Sequence, residues 1–343
     1  MPKRPSKDSP KCPFCSYPTI RWGTRPNKHR TIQKYRCKNC KKHFTNQPNL
    51  QKHKTYPISI ILNAVSNLNL GYSLKQTANY FKKHNLKKST LSCWYNQLKT
   101  ALPYHRIRNQ IRTYYKPADI IKKRTFIHHN HPFRYQYYKP KVDLFLKQYP
   151  ALRHYLENIE TILPKGIFSN SQRMSKISKE TQKTWLADGG RPIRGVGEDF
   201  ASQSPTAYGV FRVSALTKKL ALKIKENYAT TLANIALQLT EDNKERHQIV
   251  EDLMLRNDTA TLAVEIPVYL DSLTGHMDIL QIRFNKLHIL DFKPETINKK
   301  EAIAQLSLYA NALSRITNIP LTHVRCAFFN NENYFEFCPN PSE

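Results

Sequence analysis

The chain is 343 residues long, and its Lys and Arg outnumber Asp and Glu by 55 to 25, a formal net charge of +30. That balance points to a polyanionic partner, nucleic acid first, and away from an acidic small molecule. No apolar stretch approaches the ~20 residues of a membrane-spanning helix, and the opening MPKRPSKDSP has no apolar run of the secretory kind. Seven cysteines, four of them in paired CxxC units, suit metal ligation in a reducing compartment better than disulfides. The expectation is a DNA-associated protein of the cytoplasm, beside the nucleoid, with no membrane partner and long enough for two or three domains.

Residues 1–50 carry the first motif. Cys12-Pro13-Phe14-Cys15 is followed after 21 residues by Cys37-Lys38-Asn39-Cys40. Each CxxC makes a tight knuckle that turns two thiolates inward, and two knuckles complete the four-sulfur shell of a structural Zn²⁺. A segment this short and basic buries too little surface to fold without such a staple. Ile20 to Trp22 and Gln33 to Arg36 read as short strands of a zinc ribbon, while His29 and His43 stay outside a shell already filled by Cys12, Cys15, Cys37 and Cys40. The run from Tyr35 to Thr45, YRCKNCKKHFT, resembles the zinc ribbon that precedes a helix-turn-helix in many insertion-sequence transposases, and the resemblance implies a role in binding element ends.

Residues 55–103 read as helices over Ile58 to Leu68, Ser73 to His84 and Ser89 to Leu98, a helix-turn-helix arrangement. Ser73 is placed to cap the second helix. The stretch from Lys88 to Tyr95 resembles a recognition helix, which puts Lys87, Lys88, Ser89, Thr90 and Ser92 toward a DNA groove. The bland reading is a small helical module in which Trp94 and Leu98 are core. Cys93 reads as buried packing.

Residues 104–205 read as a basic, aromatic-rich connecting region. In YHRIRNQIRTYY and HHNHPFRYQYYKPK, Arg and Lys can follow a phosphate backbone while Tyr and Phe stack on exposed bases. Alternatively, the region is a connecting layer that packs its tyrosines against a neighbouring domain. His128, His129 and His131 read as solvated or capping. Leu144 to Leu163 looks helical, SNSQRMSKISKETQ suits a linker or a phosphate-contacting loop, and the glycines at 189, 190, 195 and 197 suit a flexible junction, since no GKS or GKT follows.

In residues 206–343 the pattern gives one helix from Ser214 to Leu239, another from Lys244 to Leu255, and a first strand near Thr261. A hairpin follows, then a helix from about Lys299 to Ile316 and strands over Val324 to Phe329 and Tyr334 to Phe337. This is an α/β order. With the hairpin's tight turn at Asn285-Lys286, Phe284 faces Leu287, Asp278 stands opposite Lys293, and Leu280 opposite Asp291. Alternation then brings Asp278, Asp291 and Lys293 out on one face, with Leu280, Ile282, Phe284, Leu287 and Ile289. A four-residue turn over Asp271 to Thr274 sets Glu265 opposite Leu280 on the same face. Gln305 and Tyr309 share one side of the helix at i and i+4. Carboxylates converging with an ammonium suit Mg²⁺ or Mn²⁺ and phosphodiester hydrolysis. Lys293 would position or deprotonate the attacking water, or hold the scissile phosphate.

These residues resemble the PD-(D/E)xK nuclease superfamily, and within it the RecB-like nucleases. Gly275-His276-Met277-Asp278 is similar to the family's GhxD element, Asp291-Phe292-Lys293 to its (D/E)xK element, and Gln305-Leu306-Ser307-Leu308-Tyr309 to its QxxxY element, in the family's order. The resemblance implies a restriction-endonuclease-like domain from roughly Val213 onward. It implies Asp278 and Asp291 as magnesium ligands, Lys293 as the catalytic lysine, and Gln305 with Tyr309 holding DNA or Lys293. For the family's additional acid Glu265 fits best, ahead of Glu226 and Glu251. Cys326 and Cys338 alone do not make an iron–sulfur site and read as apolar packing. The resulting expectation is a metal-dependent DNA endonuclease targeted by its N-terminal zinc ribbon and helix-turn-helix, linked to a mobile element, with a homodimer as one assembly open to it. The alternatives are a DNA-binding regulator with an inactive nuclease fold, and a transposase, for which no convincing Asp/Asp/Glu core is found.

Overall fold

The computed structural model describes residues 9–27, 30–45, 56–98, 114–128, 130–175, 221–223, 227–239, 243–294 and 298–339. The chain divides into two units, residues 1–68 with 73–98, and residues 69–72 with 99–343. His29, His129, Glu226 and the four glycines of 189–197 lie outside the described residues.

The first unit opens with a small antiparallel sheet of β1 (Thr19–Asn27), β2 (Arg30–Cys37) and β3 (His43–Thr45), in that order. The strands outrun the short ones expected, and β1 bulges between Arg21 and Thr24, where Gly23 takes a φ of +85°. Three helices follow, α1 (Ile58–Asn69), α2 (Leu74–Tyr80) and α3 (Lys88–Leu98). Ser73 caps α2 as its sequence foretold: its Oγ accepts from Gln76 N at 3.1 Å, and Gln76 Oε1 accepts from Ser73 N at 2.9 Å. A 3-10 turn over Lys82–His84 then ends at Asn85, whose left-handed conformation reverses the chain into α3. Ile61, Leu62, Val65 and Leu68 of α1 and Leu91, Trp94 and Leu98 of α3 are buried, at helical spacing. Cys93 falls off that stripe and is exposed, which corrects its expected burial.

The second unit is built on one mixed sheet in the order β4-β5-β8-β9-β10-β11-β12-β7, with β6 beside β9. In chain order it runs α4 (Pro117–Ile120), β4 (Ile121–His128), β5 (His131–Tyr138), α5 (Lys139–Phe145), α6 (Pro150–Glu157), α7 (Ile159–Ile162), α8 (Ile167–Asn170), β6 (Gln172–Arg173) and β7 (Ala221–Lys223). Then come α9 (Tyr228–Leu239), α10 (Asn243–Asn257), β8 (Thr261–Leu270), β9 (Leu273–Arg283), β10 (Lys286–Phe292), α11 (Lys299–Thr317), β11 (Val324–Phe329) and β12 (Tyr334–Phe337). β8, β9 and β10 form an antiparallel meander, and α11 crosses over to bring β11 parallel to β10. Ile303, Leu306, Ala310 and Leu313 of α11 are fully buried, a stripe at helical spacing.

Five expectations differ from the structure. Residues 121–138 are not a connector: β4 and β5 pair with each other, and Gln136 and Tyr137 pair with Val264 and Ala263 of β8. Their alternation explains this, since Phe133, Tyr135 and Tyr137 enter the core while Arg134 stays out. The continuous helix from Ser214 is broken, because Asn227 Oδ1 accepts from Thr230 N at 2.9 Å and starts α9 there. Upstream of that cap, Ala221–Lys223 is a strand against β12. The helical reading of Leu144 to Leu163 resolves into α5, α6 and α7, with Pro150 at the first turn of α6. Lastly, the β9–β10 turn is Phe284-Asn285, both at positive φ, so Arg283 pairs with Lys286 and Leu280 with Ile289. Each partner moves by two residues, which preserves the face but leaves Phe284 at the tip, 99% exposed. The β8–β9 turn is tighter too, with Leu270 paired to Leu273.

Candidate functional site

Cys12, Cys15, Cys37 and Cys40 converge, all four Sγ atoms lying within 4.8 Å of one another. Cys12 and Cys40 Sγ are 3.6 Å apart, and Cys15 and Cys37 Sγ 3.4 Å. Ligands at ~2.3 Å from a tetrahedral zinc stand about 3.8 Å apart, so the cluster can hold a structural zinc ion. The two knuckles are built alike. Phe14 N donates to Cys12 Sγ and Asn39 N to Cys37 Sγ; Cys12 N donates to Tyr17 O and Cys37 N to Lys42 O. Ser16 and Lys41, each just after its second cysteine, adopt φ of +57° and +59°. His43 instead packs edge-on against Trp22.

In the second unit the meander gathers its acids at one end. Phe292 N donates to Asp278 Oδ2 at 2.9 Å, fastening β9's carboxylate to the end of β10. Lys293 N donates to Phe329 O at 2.8 Å, and the side chain turns back so that Nζ meets Asp291 Oδ2 at 2.7 Å and donates to Gln305 Oε1 at 3.2 Å. Gln305 Nε2 donates to Tyr309 Oη at 2.8 Å, as the i and i+4 spacing foretold. Glu265 on β8 has a φ of +52° and faces His276 Nδ1 at 2.6 Å; His276 stacks on Phe133, ring centroids 4.8 Å apart.

Helix α10 contributes two groups from above. His247 Nδ1 lies 3.5 Å from Asp278 Oδ2, and ligand atoms of His247, Glu251 and Asp278 all fall within 4.8 Å of one another. Asp291 stands outside that trio, one oxygen committed to Lys293. A cleft of about 750 Å³ opens over Glu251, Glu265 and Asp278.

The electrostatics are those of crowded acids. Burial first, then the charges of Glu265 and Asp278, push Glu251 well above the ordinary carboxylate value; burial and Asp291 do the same to Asp278. Burial alone would also raise Glu265, but the His276 imidazole outweighs it and holds Glu265 below its usual value. Burial would lower Lys293, yet Asp291 and Asp278 more than compensate and keep it an ammonium. Burial lowers His247, favouring the neutral imidazole that ligates metals. A side-chain hydrogen bond between Glu251 and Glu265 adds to the same split, raising Glu251 and lowering Glu265.

Asp278, Asp291, Lys293, Gln305, Tyr309 and Glu265 are thus brought together. Sequence reasoning ranked Glu251 low and missed His247, because a helix far from the hairpin in sequence gives no sign of which residues it will lay over it. His128 is buried, not solvated, with Nε2 3.0 Å from Thr274 Oγ1, whereas His131 is exposed. Lys87, Lys88 and Ser89 are exposed at the start of α3, and Thr90 and Ser92 half-buried. Cys326 is buried, its thiol toward Leu306 O, and Cys338 is half-buried beside Arg325. No helix among the described residues is long and apolar enough to cross a membrane. No family model, curated protein or solved structure matches the chain.

Proposed function

We propose that the second unit is a metal-dependent deoxyribonuclease of the PD-(D/E)xK, RecB-like kind, an endonuclease that hydrolyses phosphodiester bonds. The zinc ribbon and the helix-turn-helix carry it to DNA, in the setting of a mobile element. The observation that carries the reading is the gathering of buried Asp278, held by Phe292 N, beside buried Asp291, which pairs with an ammonium, Lys293, that is itself braced by Gln305 and Tyr309. The same residues form the three sequence elements that resemble the superfamily.

The donor set fits a hard divalent cation. Its oxygens are carboxylate, its one nitrogen belongs to an imidazole that burial favours as neutral, and like charges raise two of its acids. Asp278, Glu251 and His247 would hold Mg²⁺ or Mn²⁺, with Asp291 alongside. Bound there, the cation supplies Lewis-acid stabilisation of phosphate charge and a more acidic water. Lys293, kept charged, acts by holding the phosphate or orienting the nucleophile, not as a ready base. Asp291 and Gln305 fix its Nζ, Tyr309 fixes Gln305, and His276 keeps Glu265 ionised.

Purified protein incubated with Mg²⁺ or Mn²⁺ and a panel of linear, circular and branched DNAs tests the reading. Metal-dependent breaks that disappear in chelator support it, and the form of the product separates nicking, endonuclease and exonuclease action. Tight DNA binding with no cleavage of any substrate would leave a DNA-binding regulator in its place.

A further inference from the structure

The β4–β5 hairpin extends the sheet beyond β8, and its two faces differ. Cross-strand pairing sets Lys123 opposite Gln136 and Thr125 opposite Arg134, so these four share one face, while Phe126 and Phe133 pair on the other and stack at 5.5 Å over the core. Thr125, Arg134 and Gln136 line the cleft that holds Glu251, Glu265 and Asp278. Two more basic side chains line it from separate elements, Arg173 of β6 and Lys244 of α10. The hairpin tip is braced, since Arg173 Nη2 donates to His128 O at 3.1 Å, and His128, Thr274 and Ser171 are linked by contacts of 3.0 Å and 2.6 Å. Burial, then repulsion by Arg256, lowers the Lys123 pKa against the pull of Asp252, with Arg134 adding to the repulsion, a sign of positive charge gathered along the wall.

We infer that this hairpin, with Arg173 and Lys244, is the wall along which a nucleic-acid strand lies as it enters the acidic cleft, its phosphates held by Arg134, Arg173 and Lys244. The inference rests on the nuclease reading for the direction of the strand, since the buried acids at the floor need a phosphodiester brought to them. An acidic protein segment would meet the same cations but would bring no phosphodiester to the acids at the floor.

The test is equilibrium binding of a fluorescent duplex DNA oligonucleotide to the full-length protein in chelator, over a salt series, for wild type, Arg134→Ala with Lys244→Ala, and Lys147→Ala with Lys165→Ala as a control. Lys147 and Lys165 are exposed and do not line the cleft, so the control removes equal charge elsewhere. Each lost phosphate contact flattens the slope of log affinity against log salt by about 0.9. The cleft pair should therefore flatten it by about 1.8 and the control pair should leave it unchanged. In cleavage assays the cleft pair should raise KM several-fold with kcat within about twofold of wild type. Equal slopes for both pairs, with cutting intact, overturn the wall and leave the nuclease reading standing. A flattened slope in a protein that cuts nothing keeps the wall and sinks the nuclease.

Discussion

At Gly275 the chain passes so close to α11 that a Cβ would stand 2.6 Å from Tyr309 Cε1. Tyr309 is buried, so Gly275→Ala should push its ring against the surrounding core, loosen Gln305 and release Lys293. The expected cost is about 1–3 kcal/mol of stability, with activity falling further than in Tyr309→Phe, which removes only one hydroxyl. Comparing urea melts and cleavage rates of the two variants checks this. A second residue-scale prediction needs no activity. Asp278→Asn removes a buried charge that its neighbours oppose while keeping an oxygen for Phe292 N. In chelator it should therefore gain about 1 kcal/mol, roughly 2–4 °C in Tm, whereas Mn²⁺ should raise the Tm of wild type only. A variant that melts lower in chelator, or a wild type indifferent to Mn²⁺, would remove the cation from the site. Asp278, Asp291, Lys293, Gln305 and Tyr309 were legible because side-chain alternation and helical spacing fix which side chains share a side. His247 and Glu251 were not, since the angle at which α10 crosses the sheet is a packing outcome.

Among the elements, the β9–β10 hairpin shows the limit of alternation most clearly. A two-residue change of register keeps every side chain on its face, so the apolar pattern could not distinguish a turn at Asn285-Lys286 from the one at Phe284-Asn285. Turn chemistry misled as well: a turn with both central residues at positive φ favours Asn and Gly, and Phe284 occupies the first position at a φ of +49°. Phe284 buries nothing, being 99% exposed. Phe284→Asn should then stabilise the second unit by about 1 kcal/mol through relief of backbone strain, read as a raised denaturation midpoint with an unchanged slope. A lowered midpoint would mean that the exposed ring makes a stabilising contact. The capping of α2 was readable from Ser73 and Gln76 alone, because that signal is local.

For the whole molecule, zinc and DNA should act on different parts. Cys37→Ser should lose the metal and unfold the ribbon while the second unit keeps its cooperative melt; four freely reactive thiols in the native protein, with no zinc by metal analysis, would refute the site. The composition of 104–205 announced a basic aromatic region, yet the period-two alternation within it, which makes β4 and β5 strands of the main sheet, was hidden beneath the charge. The central claim is that Asp291 and Lys293 act on a phosphodiester, and cleavage of plasmid DNA with Mg²⁺ or Mn²⁺ by wild type, Asp291→Ala and Lys293→Ala tests it most directly. Asp291→Ala frees the ammonium from its carboxylate and Lys293→Ala removes the ammonium while leaving both acids. Each should slow cutting by about 10²–10³ at unchanged DNA affinity. Cleavage by both variants at the wild-type rate would contradict the account.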